Sequence, residues 1–357
     1  MAKKTRVLII DDSVLVRQSA KVLLESQPDI EVMDTAVDPI FAMEKMRREW
    51  PDVIVLDIQM PRMDGLSFLK KLMSERPTPV VICSCQVGEG EQAGIEALAA
   101  GAICLVTKPK MGIREFFVDE GDNLVSAVRA AALVPLSRIR ALTSGRTISR
   151  PNLEGCAFKP PFLSHPSSLS GRVVALGAST GGTQALAIVL SALPVEIPGI
   201  VLVQHMPIGF TKKFADHINQ DVRLEVREAE NGQRVEPGLV LIAPAGRQMR
   251  LLADSGGFHV EVRDGPLINR HRPSVDCLFS SVAKVAGRRA LGVLMTGMGD
   301  DGALGMKEMF DAGAATVAEA EETCVVFGMP RAAIERGGAR EILPLHKIAD
   351  RIIDWAK

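Results

Sequence analysis

Apolar runs and helical stripes alternate along the chain from Arg6 onward. RVLIID precedes SVLVRQSAKVLL, EVMDTAV precedes PIFAMEKMRRE, and DVIVLD, PVVICS and AICLVT follow before the pattern ends near Leu133. Runs that are apolar at successive positions are strands buried on both faces, and their alternation with amphipathic helices predicts a parallel sheet covered by helices. The alternation resumes at Arg172 with RVVALGAS, a helix over 183–193, the strand GIVLVQH, a helix over 209–219, then ALGVLMTG and a helix from Ala303. One stretch breaks it. GLVLIAPAGRQMRLLADSGGFHVEVRDG alternates apolar and polar residues around Gly256-Gly257, which predicts an antiparallel hairpin.

Between the two units, residues 134–170 are rich in Pro, Ser and Gly and lack sustained periodicity, apart from LSRIRAL, which suits a helical turn or more. The expected organisation is therefore an α/β unit at 1–133, a linker at 134–170 and a second α/β unit at 171–357. A length of 357 residues agrees, because it exceeds what one hydrophobic core organises. The fold class predicted is α/β, two doubly wound parallel-sheet domains.

Charge narrows the partners. The formal net charge is -1, with no concentrated Lys and Arg of the kind that phosphate backbones require, so nucleic acid is not an expected partner. Residues 1–6 are basic, but the apolar stretch that follows, 7–10, ends at Asp11-Asp12 and is too short for a signal peptide or a membrane span. No direct membrane insertion is expected. Cys83, Cys85, Cys104, Cys156, Cys277 and Cys324 show no CxxC spacing, and five of the six sit in or beside apolar segments. Reduced thiols and a cytoplasmic location follow as the expectation.

In parallel α/β sheets, ligands gather at the carboxyl ends of strands. The first unit places Asp11 and Asp12 after its first strand, Asp57 after the third and Lys108 after the fifth. Carboxylates crowded at one edge repel one another unless a hard cation neutralises them, which points to magnesium. Taken singly, each acid is as well explained as a solvated strand end.

In the second unit, Gly177-Ala178-Ser179-Thr180-Gly181 has the GxSxG form of a nucleophile elbow, with a strand before it and a helix after. His205 ends a neighbouring strand, and MTGMGDDG brings Asp300 and Asp301 to a third strand end. Three strand ends can bring Ser, His and Asp to one rim, although the chain order differs from that of α/β-hydrolases. Ser179 also suits a helix N-cap, and His205 a structural histidine. His217 and His271 compete for the base role, the first inside a predicted helix and the second between Arg270 and Arg272. Gly297-Met298-Gly299-Asp300-Asp301-Gly302 reads literally as GxGxxG, with Glu319, Glu321 and Glu322 about 20 residues on, the form of a dinucleotide fingerprint. The two carboxylates inside it argue against a pyrophosphate.

DDS, VLDIQMPRMDG and TKP together resemble response-regulator receiver domains, which are flavodoxin-like. The resemblance implies Asp57 as phosphoacceptor, Asp11, Asp12 and Asp57 as magnesium ligands with a carbonyl near Gln59, and Lys108 as a phosphoryl contact. Ser84 is assigned a second phosphoryl contact, with Cys83 competing for the place, and Leu105 stands where receivers commonly carry an aromatic switch residue. GASTGG, VQHMP, NRHRPSVDCLF, TGMGDDGA and CVVFGMPRAAIE resemble the Rossmann-like catalytic domain of bacterial chemotaxis methylesterases, in the right order and over essentially the whole unit. That implies a protein-glutamate methylesterase and protein-glutamine glutaminase acting on methyl-accepting chemotaxis receptors, with a chemotaxis histidine kinase as phosphodonor and an unphosphorylated receiver that inhibits. Residue by residue, it implies Ser179 as nucleophile, His205 as base, Asp301 as the orienting acid, and Thr180 and Met298 as positioning or oxyanion groups. It implies no cofactor for ester hydrolysis. Arg272 could meet acidic receptor side chains or hold the fold.

Overall fold

The computed structural model describes residues 3–84, 89–108, 121–143, 169 and 171–357. The chain divides into two compact units, Met1–Gly145 and Arg146–Lys357. In the first, β1 (Thr5–Ile10), α1 (Val14–Glu25), β2 (Ile30–Ala36), α2 (Pro39–Arg48), β3 (Val53–Leu56), α3 (Gly65–Glu75), β4 (Val80–Ser84), α4 (Glu89–Ala99), β5 (Cys104–Thr107), α5 (Gly121–Ala132) and α6 (Leu136–Thr143) follow in order. The five strands are parallel in the order β2-β1-β3-β4-β5. Every residue of β3 and β4 is buried, as their unbroken apolar runs require. LSRIRAL lies within α6; residues 144–168 and 170 of the expected linker lie outside the described residues.

The second unit contains β6 (Val173–Ala178), α7 (Gly182–Ala192), β7 (Gly199–Gln204), α8 (Phe210–Asp221), β8 (Glu225–Glu228), β9 (Leu239–Ile242), β10 (Gln248–Asp254), β11 (Gly257–Arg263), α9 (Val275–Ala286), β12 (Ala290–Leu294), α10 (Ala303–Asp311), β13 (Ala315–Glu319), α11 (Met329–Glu335), β14 (Glu341–Leu343) and α12 (Leu345–Ala356). Seven of the strands form one parallel sheet, β14-β13-β12-β6-β7-β9-β8. Chain order runs outward in one direction from β6 through β7 and in the other from β12, so the sheet reverses between β6 and β12. Such a reversal opens a crevice beyond the strand ends, where ligands bind in sheets of this class.

The antiparallel hairpin is β10 with β11, paired from Gln248–Arg263 to Asp254–Gly257 around Gly256. The apolar run LVLI that begins the same stretch is not part of it. It forms β9 and pairs in parallel with β7 and β8, because four successive apolar residues need cover on both faces.

Candidate active site

Ser179 and His205 stand side by side because β6 and β7 pair in register up to Ala178 and Gln204, and the His205 amide donates to the Ala178 carbonyl at 3.1 Å. Gln204 fastens the two strand ends together. Its side chain is buried, and Nε2 donates to the carbonyls of Ser179 (2.9 Å) and His205 (3.0 Å). The Ser179 amide in turn donates to the Thr296 carbonyl beyond β12, at 3.0 Å.

Glycine is needed at two points beside Ser179. Gly181, at φ +76°, is the N-cap of α7, and a Cβ there would lie 2.4 Å from Val325. A Cβ at Gly297 would meet Met329 Sδ at 2.2 Å and Ser179 Cβ at 2.8 Å, so the loop after β12 can lie against Ser179 only with glycine there. The helix-cap reading of Ser179 is set aside: no side chain caps α7 at Gly181.

His205 Nε2 lies 2.8 Å from Asp301 Oδ2. Asp301 is 1 % exposed and sits on the N-terminus of α9. Oδ2 also accepts from the Val275 amide (2.7 Å), and Oδ1 accepts from Ser274 Oγ (2.7 Å), the Asp276 amide (3.2 Å) and Asn269 Nδ2 (3.5 Å). Burial alone would raise this carboxyl; the bonds to His205, Ser274 and Val275 outweigh it and hold the group below its ordinary value. A helix N-terminus stabilises the same charge. Asp300, the adjacent acid, is exposed and pairs with Arg336 at 3.2 Å.

His205 Nδ1 is buried and has no hydrogen-bond partner among the described residues. The face of the ring is covered by His271, with centroids 3.8 Å apart and planes within 11°. Burial, and then the nearness of His205, push His271 down to about 4, so it stays neutral at physiological pH. His271 thus packs against the histidine that it rivalled as base, while His217 lies within α8. Thr180 and Met298 are both half-buried beside the serine and on the β12 loop; the Thr180 carbonyl accepts from Thr296 Oγ1 at 2.9 Å. Arg272 donates to the Gly265 carbonyl at 2.8 Å.

The GxGxxG reading fares poorly. Gly297 donates to Val326 and accepts from Gly328 and Met329, Asp301 is buried against His205, and Glu319 lies inside, accepting from the Thr296 amide at 2.8 Å. Gly297 and Asp301 of the motif are thus engaged within the fold, and Glu319 has no open face to offer a ribose. Gln204, Ser274 and the covering role of His271 were missed from sequence. A lone Gln closing the apolar run GIVLVQ, and a Ser ahead of the run VDCLFSSVAKVA, were the available signals.

At the first unit's strand ends, Asp11 and Asp57 are buried and Asp12 is exposed; their carboxylate oxygens lie within 4.8 Å of one another. Lys108 Nζ reaches Asp11 Oδ2 at 2.9 Å and Asp57 Oδ2 at 2.7 Å. Burial pushes Asp57 up to about 6 against the pull of Lys108, and raises Asp11 as well. Ser84 closes β4 with its carbonyl accepting the Lys108 amide at 2.8 Å; Cys83 precedes it and therefore faces the other side of the sheet. Leu105 is buried within β5, and Gln59 is exposed just beyond Asp57.

Residues 174–352 match the family described as CheB methylesterase, and residues 7–115 match the response regulator receiver domain. A protein-glutamate methylesterase/protein-glutamine glutaminase 2 of Dechloromonas aromatica is 54% identical over 357 residues, covering 100% of this chain and 99% of the relative. Its namesake in Pseudomonas syringae pv. tomato is 52% identical over 353 residues, covering 98% and 99%. The crystal structure of the Thermotoga maritima CheB methylesterase catalytic domain superposes with a TM-score of 0.51 at 40% identity, over 52% of this chain and 98% of that one. Among the described residues, no helix is long and apolar enough to cross a membrane.

Proposed function

The chain belongs to the CheB methylesterase family, with a response-regulator receiver domain ahead of the hydrolase, and we propose that it cleaves glutamyl methyl esters and glutamine amides of chemotaxis receptors through Ser179, His205 and Asp301. The contact between His205 and Asp301, on the strand end next to Ser179, carries this reading. Asp301 accepts a hydrogen bond from the Nε2–H of the neutral ring, which leaves the lone pair on Nδ1. That nitrogen takes the Ser179 proton as Oγ attacks the glutamyl carbonyl carbon. The familiar triad uses the ring the other way round, with the acid on Nδ1; either nitrogen serves, provided that the acid fixes the opposite one.

The negative charge on the carbonyl oxygen is met by backbone amides of the two glycine-rich loops, with Met298 and Thr180 at their centre. As the intermediate collapses, His205 returns its proton to the leaving oxygen or nitrogen, releasing methanol from an ester or ammonia from an amide. Water, deprotonated by His205, then hydrolyses the glutamyl-serine bond and leaves a glutamate carboxylate. No cofactor enters this cycle.

In the receiver, Asp11, Asp12 and Asp57 offer the hard oxygen donors that suit magnesium, with Lys108 opposite. Bound there, the ion would neutralise phosphoryl charge during transfer to Asp57. Lys108 and Ser84 hold phosphoryl oxygens, and a histidine kinase of the chemotaxis pathway is the donor. Phosphorylation then relieves inhibition of the hydrolase, which works in the cytoplasm.

The test is release of methanol from methylated receptor, and of ammonia from receptor carrying glutamine, by the native protein and by Ser179→Ala. Loss of both products in a folded Ser179→Ala protein is expected; release at the native rate would refute the assignment.

A further inference from the structure

His271 belongs to a hairpin whose loop has two residues, Asn269 and Arg270, both left-handed, at φ +49° and +65°. Ile268 and His271 exchange hydrogen bonds across them, 3.0 and 2.8 Å long, closing a turn of type I′. Asparagine tolerates this conformation, but the next position ordinarily belongs to glycine, and an arginine there costs about 1 kcal/mol.

The residues on either side of Arg270 dictate the turn. Asn269 donates to Asp276 and, at 3.5 Å, to Asp301, while His271 stacks on His205. Neither contact needs an arginine between them, and glycine would keep both while relieving the strain. Arg270 is exposed and makes no ion pair or side-chain hydrogen bond among the described residues. Its charge nonetheless reaches the site, since it weighs against protonation of His271. The nearby acids are engaged elsewhere: Asp300 with Arg336, Asp276 with Gly305 and Asn269, Asp301 with His205.

A strained residue persists where its side chain has a use. We propose that Arg270 is a specificity-determining residue that binds a carboxylate of the substrate protein beside the scissile glutamyl ester or amide. The inference rests on the hydrolase reading above. Each turnover leaves a glutamate carboxylate, so a segment with several modified glutamates acquires carboxylates beside its remaining esters. A guanidinium matches a carboxylate with two parallel N–H donors.

Arg270→Lys, Arg270→Gly and Arg270→Glu are compared with the native full-length protein in two assays. One is kcat/KM for methanol release from methylated receptor at low and high salt. The other is the rate at which an uncharged fluorophosphonate labels Ser179. At low salt the expected order is native, Lys, Gly, Glu, with roughly tenfold between native and Gly. The differences should narrow at high salt and be smaller for the fluorophosphonate in every variant. A thermal midpoint of Arg270→Gly at or above the native value shows that the loss is not unfolding. The proposal is overturned if Arg270→Gly hydrolyses receptor at the native rate, or if Arg270→Glu is no worse than Arg270→Gly. Equal losses on receptor and probe also overturn it, and make Arg270 a support for the His271 turn. If the native protein releases no methanol, the hydrolase reading fails and takes the proposal with it.

Discussion

Asp301→Asn perturbs the residue on which the fold of the β12 loop and the proposed chemistry converge. Four donors lie within 3.2 Å of its carboxylate: His205 Nε2 and the Val275 amide on Oδ2, Ser274 Oγ and the Asp276 amide on Oδ1. An amide offers one oxygen, so one pair of donors must face an NH2. With the oxygen kept toward Ser274 and Asp276, the NH2 confronts the Val275 N–H and leaves it buried without a partner, at about 1–3 kcal/mol. The same NH2 donates to His205 Nε2, which moves the ring proton to Nδ1, the nitrogen required as base. Loss of the correct tautomer by this change is associated with a fall in kcat of about 10⁴ in the serine-protease triad. Methanol release should therefore fall by about that factor, with a modest drop in thermal midpoint. Asp300→Asn is the control: its pair with the exposed Arg336 is worth at most about 1 kcal/mol, and the rate should not change. A folded Asp301→Asn protein with kcat within tenfold of native would refute the reasoning, and the reverse ranking would assign the acid to Asp300.

Four further outcomes are expected. His271→Phe keeps a flat ring against His205 and should retain most of kcat, whereas His271→Ala opens a gap and should lower it by about tenfold; equal rates would remove the stack from the account. Below about pH 6.5 the unfolded chain takes up a proton at this position that the folded chain refuses until about 4, so stability falls with pH across that window, by up to roughly 3 kcal/mol. Urea melts of the hydrolase unit at pH 7 and 4.5 should show His271→Phe losing less than native protein, and an unchanged loss would contradict the burial argument. In the receiver, acetyl phosphate with magnesium should speed methanol release by native protein but not by Asp57→Asn. A folded protein lacking residues 1–145 should exceed the resting rate and ignore the phosphodonor; a slower one would make the receiver an activator.

Strand-end chemistry was the legible part of the sequence. Asp11, Asp57, Lys108, Ser179 and His205 each follow an apolar run, and a parallel sheet brings such positions to one edge. What escaped was either short or non-local. β8 and β14 are edge strands of four and three residues, too brief for a periodic signal. LVLI was absorbed into the neighbouring hairpin because an apolar run of that length belongs equally to a ribbon or a central strand. The seat of Asp301 on α9, the bridge made by Gln204 and the stack of His271 join residues 26, 25 and 66 positions apart. Such contacts are set by tertiary packing and leave no mark on local pattern. The choice between Asp300 and Asp301 came from family resemblance; in the structure Asp300 faces solvent and Asp301 accepts from the first two amides of α9.

The most direct measurement is mass analysis of protein quenched in acid during turnover of methylated receptor peptide. A glutamyl adduct on the peptide that contains Ser179 is expected, forming before methanol release reaches its steady rate and absent from Ser179→Ala. Steady methanol release from native protein with no adduct at Ser179 would contradict the covalent mechanism.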